Sequence, residues 1–544
     1  MTIEAATSTG TAPESPTRNY SGADRLIDAA GAHGVELCLA NPGTTEMGLV
    51  AALDRETALR TCLVLFEGVA TGAADGYARI TGKPAMTILH LGPGLAYGLP
   101  NMHNAHRARS PMLTVVGDHT TDHLPFDSPL TTDIEMLARP MSGWVGRSRS
   151  AETSDQSVVD GIRAAIQHRD VATLIVPSDH QTDVTQRISV EDLNGYQGWQ
   201  AHPCSRPADS AVEAVATSLR ANDARPVFLI GGDALETRCR TILDRICRRT
   251  GGRAFTGTTA ARLDRGGDRP EFGRLPYFPE DAVAALSSAA PLVLVGTKSP
   301  VAFFGYREHP SALAEGVATL TLSTDEEDSY AALVALDEEL SGLPVGASTA
   351  TVSVGGQTAA LSDEQGLDGW TIGSVAAETM PEDAIVSIEG GTVGHSFFAA
   401  SQNGPRHSVL TNTGGAIGQG LPVAFGASLA APRRRVVAIQ SDGSAQYTVQ
   451  TLWSMAREGT DITVVLVSNR KYGILNTELQ RLGHTSGDLA NSLTSLTNPS
   501  LDWCATARGY GVPSSQVHSV GELRAALRRA HAVPGPTLVE AVVG

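Results

Sequence analysis

The sequence predicts an α/β protein built from three doubly wound parallel-sheet domains, and three observations carry that expectation. Short apolar runs rich in β-branched residues, such as 436–440 (VVAIQ) and 462–467 (ITVVLV), have the pattern of strands buried on both faces of a parallel sheet. Segments with apolar residues at helical spacing alternate with them, which is the order of βαβ units. Two stretches weak in either pattern, 189–207 with its Gly and Pro and 342–361 rich in Gly, Ser, Thr and Ala, read as linkers. They divide the 544 residues into domains at 21–188, 208–340 and 366–544. Residues 1–20, rich in Thr, Ser, Ala and Pro, lack the basic and apolar regions of a signal peptide and read as a flexible tail.

Composition excludes several classes of partner. A net charge of −17 argues against nucleic acid or an anionic membrane as the main partner and fits an acidic cytoplasmic enzyme. No run approaches the roughly 18 to 20 apolar residues of a membrane span. Cys38, Cys62, Cys204, Cys239, Cys247 and Cys504 form no C-x-x-C pair, so reduced thiols are expected instead of disulfides or a zinc site.

In chain order, a helix over 23–33 leads to a strand over 35–40 and the turn-forming Asn41-Pro42-Gly43-Thr44-Thr45-Glu46. A strand over 62–66 is followed at once by Glu67, and 68–79 (GVATGAADGYAR) is a helix of small residues suited to close packing. A carboxylate flanked by Leu65, Phe66 and Val69 is expected to have a raised pKa through desolvation. The strand at 85–89 ends in His90-Leu91-Gly92-Pro93-Gly94, and His103 and His106 in the next helix read as surface or interface groups. The second domain opens with a helix over 209–221 and a strand over 226–230 before Gly231-Gly232-Asp233. The run 325–328 reads as a solvated loop. In the third domain a strand over 384–388 ends in Glu389-Gly390-Gly391-Thr392, with backbone and hydroxyl donors suited to a diphosphate.

The stretch 436–473 states its chemistry most directly. Two strands flank a helix over 446–458 closed by Gly459, so Asp442 and Asn469 emerge together at the carboxyl edge of neighbouring parallel strands, where open α/β sheets bind ligands. A carboxylate, an amide oxygen and a carbonyl from the following turn, that of Lys471, suit Mg²⁺, with Gly443 and Ser444 offering N–H groups to the same phosphates.

This Asp-Gly-Ser, helix, strand, Asn, then Tyr472-Gly473 resembles the thiamine diphosphate motif of the 2-oxo acid decarboxylase and acetolactate synthase superfamily. Ser441 and Ser468 stand where that family usually has Gly and Asn. A second likeness is EGVATGAADGYARITGKPA from Glu67, and a third is TNTGGAIGQGLPVAFGASLA at 411–430. The resemblance implies pyrimidine-binding, central and diphosphate-binding domains, thiamine diphosphate and Mg²⁺ as cofactors, and Glu67 as the acid that bonds the aminopyrimidine. Gly415 would give a carbonyl to its amino group and Ile417 would bend the cofactor. The central domain binds FAD in some members and nothing in others; two glycines after a strand favour FAD only weakly. Sites would lie between copies of a homodimer or homotetramer. HLGPGLAYGLPNMHNAHRARSP resembles benzoylformate decarboxylase, which has a catalytic His where His90 stands and a catalytic Ser where Thr44 stands. The loop KSPVAFFGYREHP implies Phe303, Phe304, Tyr306 and His309 as pocket candidates.

The implied reaction is decarboxylation of a 2-oxo acid, the enamine then being transferred to a second carbonyl compound as in acetolactate synthase, or protonated as in benzoylformate decarboxylase. A catalytically silent binding protein of the same fold is the reading of another class, against which Glu67 counts. An Mg²⁺-dependent phosphohydrolase would need a nucleophilic Asp after the first strand, and 41–46 offers none.

Overall fold

The computed structural model describes residues 19–55, 59–196, 205–221, 224–346 and 361–544. The first sheet holds β1 (Leu37–Ala40), β2 (Arg60–Leu63), β3 (Ala85–Leu89), β4 (Met112–Asp118), β5 (Trp144–Arg147) and β6 (Val171–Pro177). All are parallel, in the order β2-β1-β3-β4-β6-β5. β3, β4 and β6 are buried along their whole length, as their unbroken apolar runs require.

The middle of the chain supplies β7 (Val227–Ile230), β8 (Arg253–Thr256), β9 (Leu263–Arg265), β10 (Gly273–Arg274), β11 (Leu292–Val295) and β12 (Thr319–Ser323). The last third supplies β13 (Ala384–Glu389), β14 (His407–Thr411), β15 (Val436–Ser441), β16 (Ile462–Ser468), β17 (Ser514–Val517) and β18 (Thr537–Val542). The second sheet runs β10-β8-β7-β11-β12 and the third β17-β18-β16-β15-β13-β14-β9. The third is therefore not wholly parallel. β9 leaves the middle segment and pairs antiparallel with β14, Leu263 opposite Val409, covering an edge that would otherwise be open.

Apart from β9, the first and third sheets share one topology. In each, order reverses between the first and third strands, at β1/β3 and at β13/β15, and such switch points are where doubly wound sheets form crevices. The helices Glu67–Thr81 and Gly420–Ala430 follow the second strand of their respective sheets and pack face to face. Small residues make this possible, as expected: a Cβ on Gly76 would lie 2.2 Å from the Val423 carbonyl oxygen, and one on Gly426 would lie 1.8 Å from that of Ala73. A buried polar network welds the contact. Asp75 and Arg79 form an ion pair without exposed side-chain surface. Arg79 donates to the Thr411 carbonyl at 2.7 Å, and Gln419 donates to Asp75 at 2.8 Å. One apolar cluster thus runs from Leu37 and Val69 through Leu421 and Phe425 to Val464.

Several expected boundaries shift. Residue 20 belongs to the fold, since the Tyr20 hydroxyl donates to Asp28 at 2.7 Å; residues 1–18 lie outside the described residues. Within the first linker, Val190–Tyr196 is helical, its start held by the Ser189 hydroxyl accepting Asp192 N–H, while 197–204 and Cys204 lie outside the described residues, as do 347–360 of the second. β2 ends at Leu63, short of the expected strand end at residue 66, with the Val64 N–H making the last bond to the Ala40 carbonyl. The helix expected over 446–458 spans only Thr451–Glu458, because the Thr448 hydroxyl is drawn to the Gly418 carbonyl and the Thr451 hydroxyl to that of Thr448. The run 325–328 is not merely solvated: Asp325 pairs with Arg109, and Asp328 caps the Ser329–Glu339 helix. Cys38, Cys62, Cys239 and Cys247 are buried free thiols, with Cys504 partly so. Among the described residues no helix is long and apolar enough to cross a membrane.

Candidate active site

At the first switch point the loop after β1 meets the residue after β3. Glu46 ends a single turn, Thr44–Glu46, with its carboxylate fully buried. One oxygen accepts Gly43 N–H at 2.8 Å and lies 2.8 Å from His90 Nδ1, and the other accepts the Thr45 hydroxyl at 2.6 Å. Thr45 Oγ1 is itself 3.2 Å from that ring nitrogen. A Cβ on Gly43 would lie 2.2 Å from Nδ1, and one on Gly117 of β4 would lie 1.8 Å from Glu46 Oε1. Both glycines exist to make room for this pair. Thr44, the expected hydroxyl, is exposed, and the hydroxyl that reaches His90 is its neighbour's.

Glu67 opens its helix 6% exposed. A Cβ on Gly94 would come 3.1 Å from its Oε1 and 3.3 Å from the His90 Cβ, which explains the second glycine of Gly92-Pro93-Gly94 and places the acid beside His90. Burial pushes its carboxyl above the usual range, Asn41 and His90 pull it back, and Glu46 adds a smaller push upward.

At the second switch point Asp442 follows β15 and is 2% exposed. It accepts Gly443 N–H at 2.8 Å and Arg470 N–H at 2.6 Å, while Asn469 Oδ1 accepts Lys471 N–H at 3.1 Å. Asp442 and Asn469 therefore do meet at one sheet edge. The Gly443 N–H, expected to face phosphate, is given to Asp442 here, and the Ser444 hydroxyl sits between Gln440 and the Ser441 carbonyl. Tyr472 packs against Gly443, where an added Cβ would lie 2.6 Å from its ring, and the Gly473–Arg481 helix follows. Burial raises the Asp442 carboxyl, opposed by its N–H donors.

The residues fit the expected groups. Asp442 accepts only backbone N–H groups among the described residues, and a buried carboxylate beside an amide oxygen is a donor set that suits a hard cation. Gly391 and Thr392 are exposed at the start of the Gly391–Ala400 helix, and a Cβ built on Gly391 or Gly415 would meet nothing within 4 Å. Gly415 has φ +82°, and the Ile417 side chain is 39% exposed among glycines.

Besides Glu46, three groups escaped the sequence reading. Glu389, buried at the end of β13, accepts N–H groups from Gly418 at 2.8 Å, Gln419 at 3.3 Å and Gly420 at 2.8 Å, and so shapes the loop that carries Ile417. Burial raises its carboxyl too. Asn104 makes a two-way amide pair with Ala416 at 2.8 and 3.2 Å. Asn101 donates to the carbonyls of Gly68 at 2.7 Å and Gly418 at 3.4 Å, joining the helix of the acid to that same loop within one chain. A polar residue in an otherwise apolar strand end or helix face was their only signal. The candidate loop at 298–310 docks on the helix after Gly473: Tyr306 reaches Glu478 at 3.3 Å, and His309 lies 3.7 Å from Glu280. Phe303 stacks 4.8 Å from Tyr277, and Phe304 is exposed. In the middle domain Asp233, after Gly231-Gly232, accepts the Ser329 N–H at 3.1 Å, capping that helix with a carboxylate.

Comparison with known proteins shows the family. Residues 20–137 match the N-terminal TPP binding domain of thiamine pyrophosphate enzymes, and residues 391–541 match the C-terminal TPP binding domain. The chain is 42% identical over 530 residues to a Mycobacterium tuberculosis protein named "Putative acetolactate synthase large subunit IlvX", covering 96% of this chain and 99% of that one. It is 27% identical over 528 residues to the benzoylformate decarboxylase of Pseudomonas aeruginosa, covering 93% and 96%. The structure of the thiamine diphosphate-dependent 4-hydroxybenzoylformate decarboxylase of Rhodococcus jostii has the same fold, with a TM-score of 0.82 at 22% identity over 96% of this chain and 99% of that one. The chain belongs to the thiamine diphosphate-dependent enzymes of the acetolactate synthase and benzoylformate decarboxylase group.

Proposed function

We propose that this enzyme uses thiamine diphosphate and Mg²⁺ to decarboxylate a small 2-oxo acid, and that His90 returns a proton to the product. The observation that carries the reading is the buried Glu46 carboxylate 2.8 Å from His90 Nδ1, next to Glu67. Thiamine diphosphate, when bound, supplies the electron sink for loss of CO₂. Asp442, Asn469 and the Lys471 carbonyl would hold Mg²⁺, and Gly391, Thr392, Gly443 and Ser444 would face the diphosphate. Gly415, Ile417, Tyr472 and Gly473 line the same loops. Glu67, whose carboxyl burial pushes above the usual range, would hydrogen-bond the aminopyrimidine. Glu46 fixes the His90 ring through Nδ1 and leaves Nε2 as the atom that exchanges a proton with substrate.

A second reading is carboligation, in which a second carbonyl compound takes the place of that proton. The 42% identity to a protein named as an acetolactate synthase large subunit favours it. Incubation with pyruvate or benzoylformate, with CO₂, aldehyde and acetolactate measured separately, decides between them. Aldehyde as the main product supports the first reading and acetolactate the second, and no turnover with any 2-oxo acid favours the catalytically silent one.

The site is proposed to be completed by a second copy of the chain. Leu65, 43% exposed, and Tyr97, 57% exposed, flank Glu67, and Tyr447, Ile474 and Leu475 are exposed beside the metal loops, so apolar surface borders both half-sites.

A further inference from the structure

Where the edge of the second sheet meets the third, Arg265, Phe272, Gly273, Arg274, His395, Phe398, Ala399 and Gln402 line a cavity. Two guanidinium groups lean on one ring there, Arg265 4.4 Å and Arg274 4.9 Å from the Phe398 centroid. Only one is compensated. Arg265 pairs with Glu271 at 2.9 Å and donates to the Phe398 carbonyl and the Ser401 hydroxyl, whereas no carboxylate or hydrogen-bond acceptor engages Arg274 among the described residues. Glu271 is engaged by Arg265 and by the Gly266 N–H at 3.0 Å, and it makes no contact with Arg274. Burial and the neighbouring Arg265 charge push the Arg274 guanidinium down to about 10, and partial burial and Arg274 hold His395, at the rim, below the usual histidine range.

A half-buried cation facing another cation is costly unless something anionic neutralises it. Arg274 lies over the Phe398 ring with no acceptor on its N–H groups among the described residues, and a guanidinium fork of this kind suits a planar or tetrahedral oxyanion. We infer that this cavity is a binding site for a small oxyanion, phosphate or carboxylate, held by the Arg274 guanidinium beside Gln402 and His395. The Gly391–Ala400 helix, whose first residues are proposed to face the cofactor diphosphate, also carries His395 and Phe398, so occupation of the cavity would stiffen the helix that bears the cradle.

Calorimetric titration of the full chain, saturated with thiamine diphosphate and Mg²⁺ so that the cradle is filled, tests this with inorganic phosphate, then malonate, against sodium chloride at equal ionic strength. Saturable binding of either anion, weakened at least tenfold in Arg274→Met with thiamine diphosphate affinity unchanged, is the expected result. The stronger of the two anions assigns the ligand as a phosphate or a carboxylate. Absence of saturable heat in the native enzyme overturns the inference, as does binding undiminished in Arg274→Met. Should that variant fail to fold, Arg274→Lys, which keeps the charge and loses the fork, is expected to bind several-fold more weakly, and unaltered binding there overturns it equally.

Discussion

The Glu46 carboxylate, with no exposed surface, lies 2.8 Å from Nδ1 of His90, and nothing in their sequence separation announces the pair. The topology makes it: β1 and β3 are hydrogen-bonded neighbours, so the residues that follow them meet over the switch point. Glu46→Gln keeps the shape and removes the charge that fixes the ring. Turnover is expected to fall by about 10- to 100-fold, less than the roughly 10²- to 10⁴-fold that a direct acid–base group contributes because Glu46 acts through His90, while thiamine diphosphate affinity stays as in the native enzyme. Steady-state kinetics with a cofactor titration checks it, and an unchanged kcat removes Glu46 from the mechanism.

Glu67→Gln should leave Mg²⁺ and thiamine diphosphate bound and abolish most turnover. It also carries a stability signature. A carboxyl whose folded pKa is raised stabilises the fold fully below its unfolded pKa, and that contribution is lost as pH rises through the folded value. The Tm of Glu67→Gln relative to wild type is therefore expected to improve from about pH 4 to about pH 7, the window above the ordinary Glu value. A constant difference across that range would show that burial does not perturb Glu67.

Glu389→Ala strips the acceptor from the N–H groups of Gly418, Gln419 and Gly420. Each orphaned buried donor costs about 1 to 3 kcal/mol, so a loss of at least ~3 kcal/mol is expected in denaturant unfolding, with weakened cofactor binding through the disturbed Ile417 loop. Stability within about 1 kcal/mol of wild type would mean that the loop finds other partners.

Two glycine substitutions should differ in a defined order. The added methyl of Gly43→Ala meets the His90 ring at 2.2 Å, whereas that of Gly94→Ala comes no nearer than 3.1 Å to the end of the Glu67 side chain and 3.3 Å to the His90 Cβ, contacts that a small shift relieves. Activity is expected to fall much further in the first. Equal kcat values for the two variants contradict the packing described here.

If a second copy completes the site, Asp442→Ala, which should weaken thiamine diphosphate binding measured by tryptophan quenching, and Glu67→Gln injure different halves. Co-expressing the two inactive chains is expected to restore activity through mixed dimers that carry one intact site. Failure to recover any activity, with mixed dimers isolated, would place Glu67 and Asp442 of one chain in the same site.

Much of this was legible in the chain itself. Local patterning determined β3 and the convergence of Asp442 with Asn469. Each depends on side-chain patterning or parallel pairing over short distances. Glu67 was legible as a raised acid because its apolar neighbours lie beside it in sequence. What only the tertiary structure decided lies across sequence distance: Glu46 under His90, Glu389 gathering the Gly418–Gly420 amides, Asn101 bridging Gly68 and Gly418, β9 crossing to the third sheet, and Arg274 left without a carboxylate. The physical reason is one of range. Periodicity and turn chemistry act within a few residues, whereas burial, charge pairing and the space a glycine must leave empty depend on which strands the sheet order sets side by side.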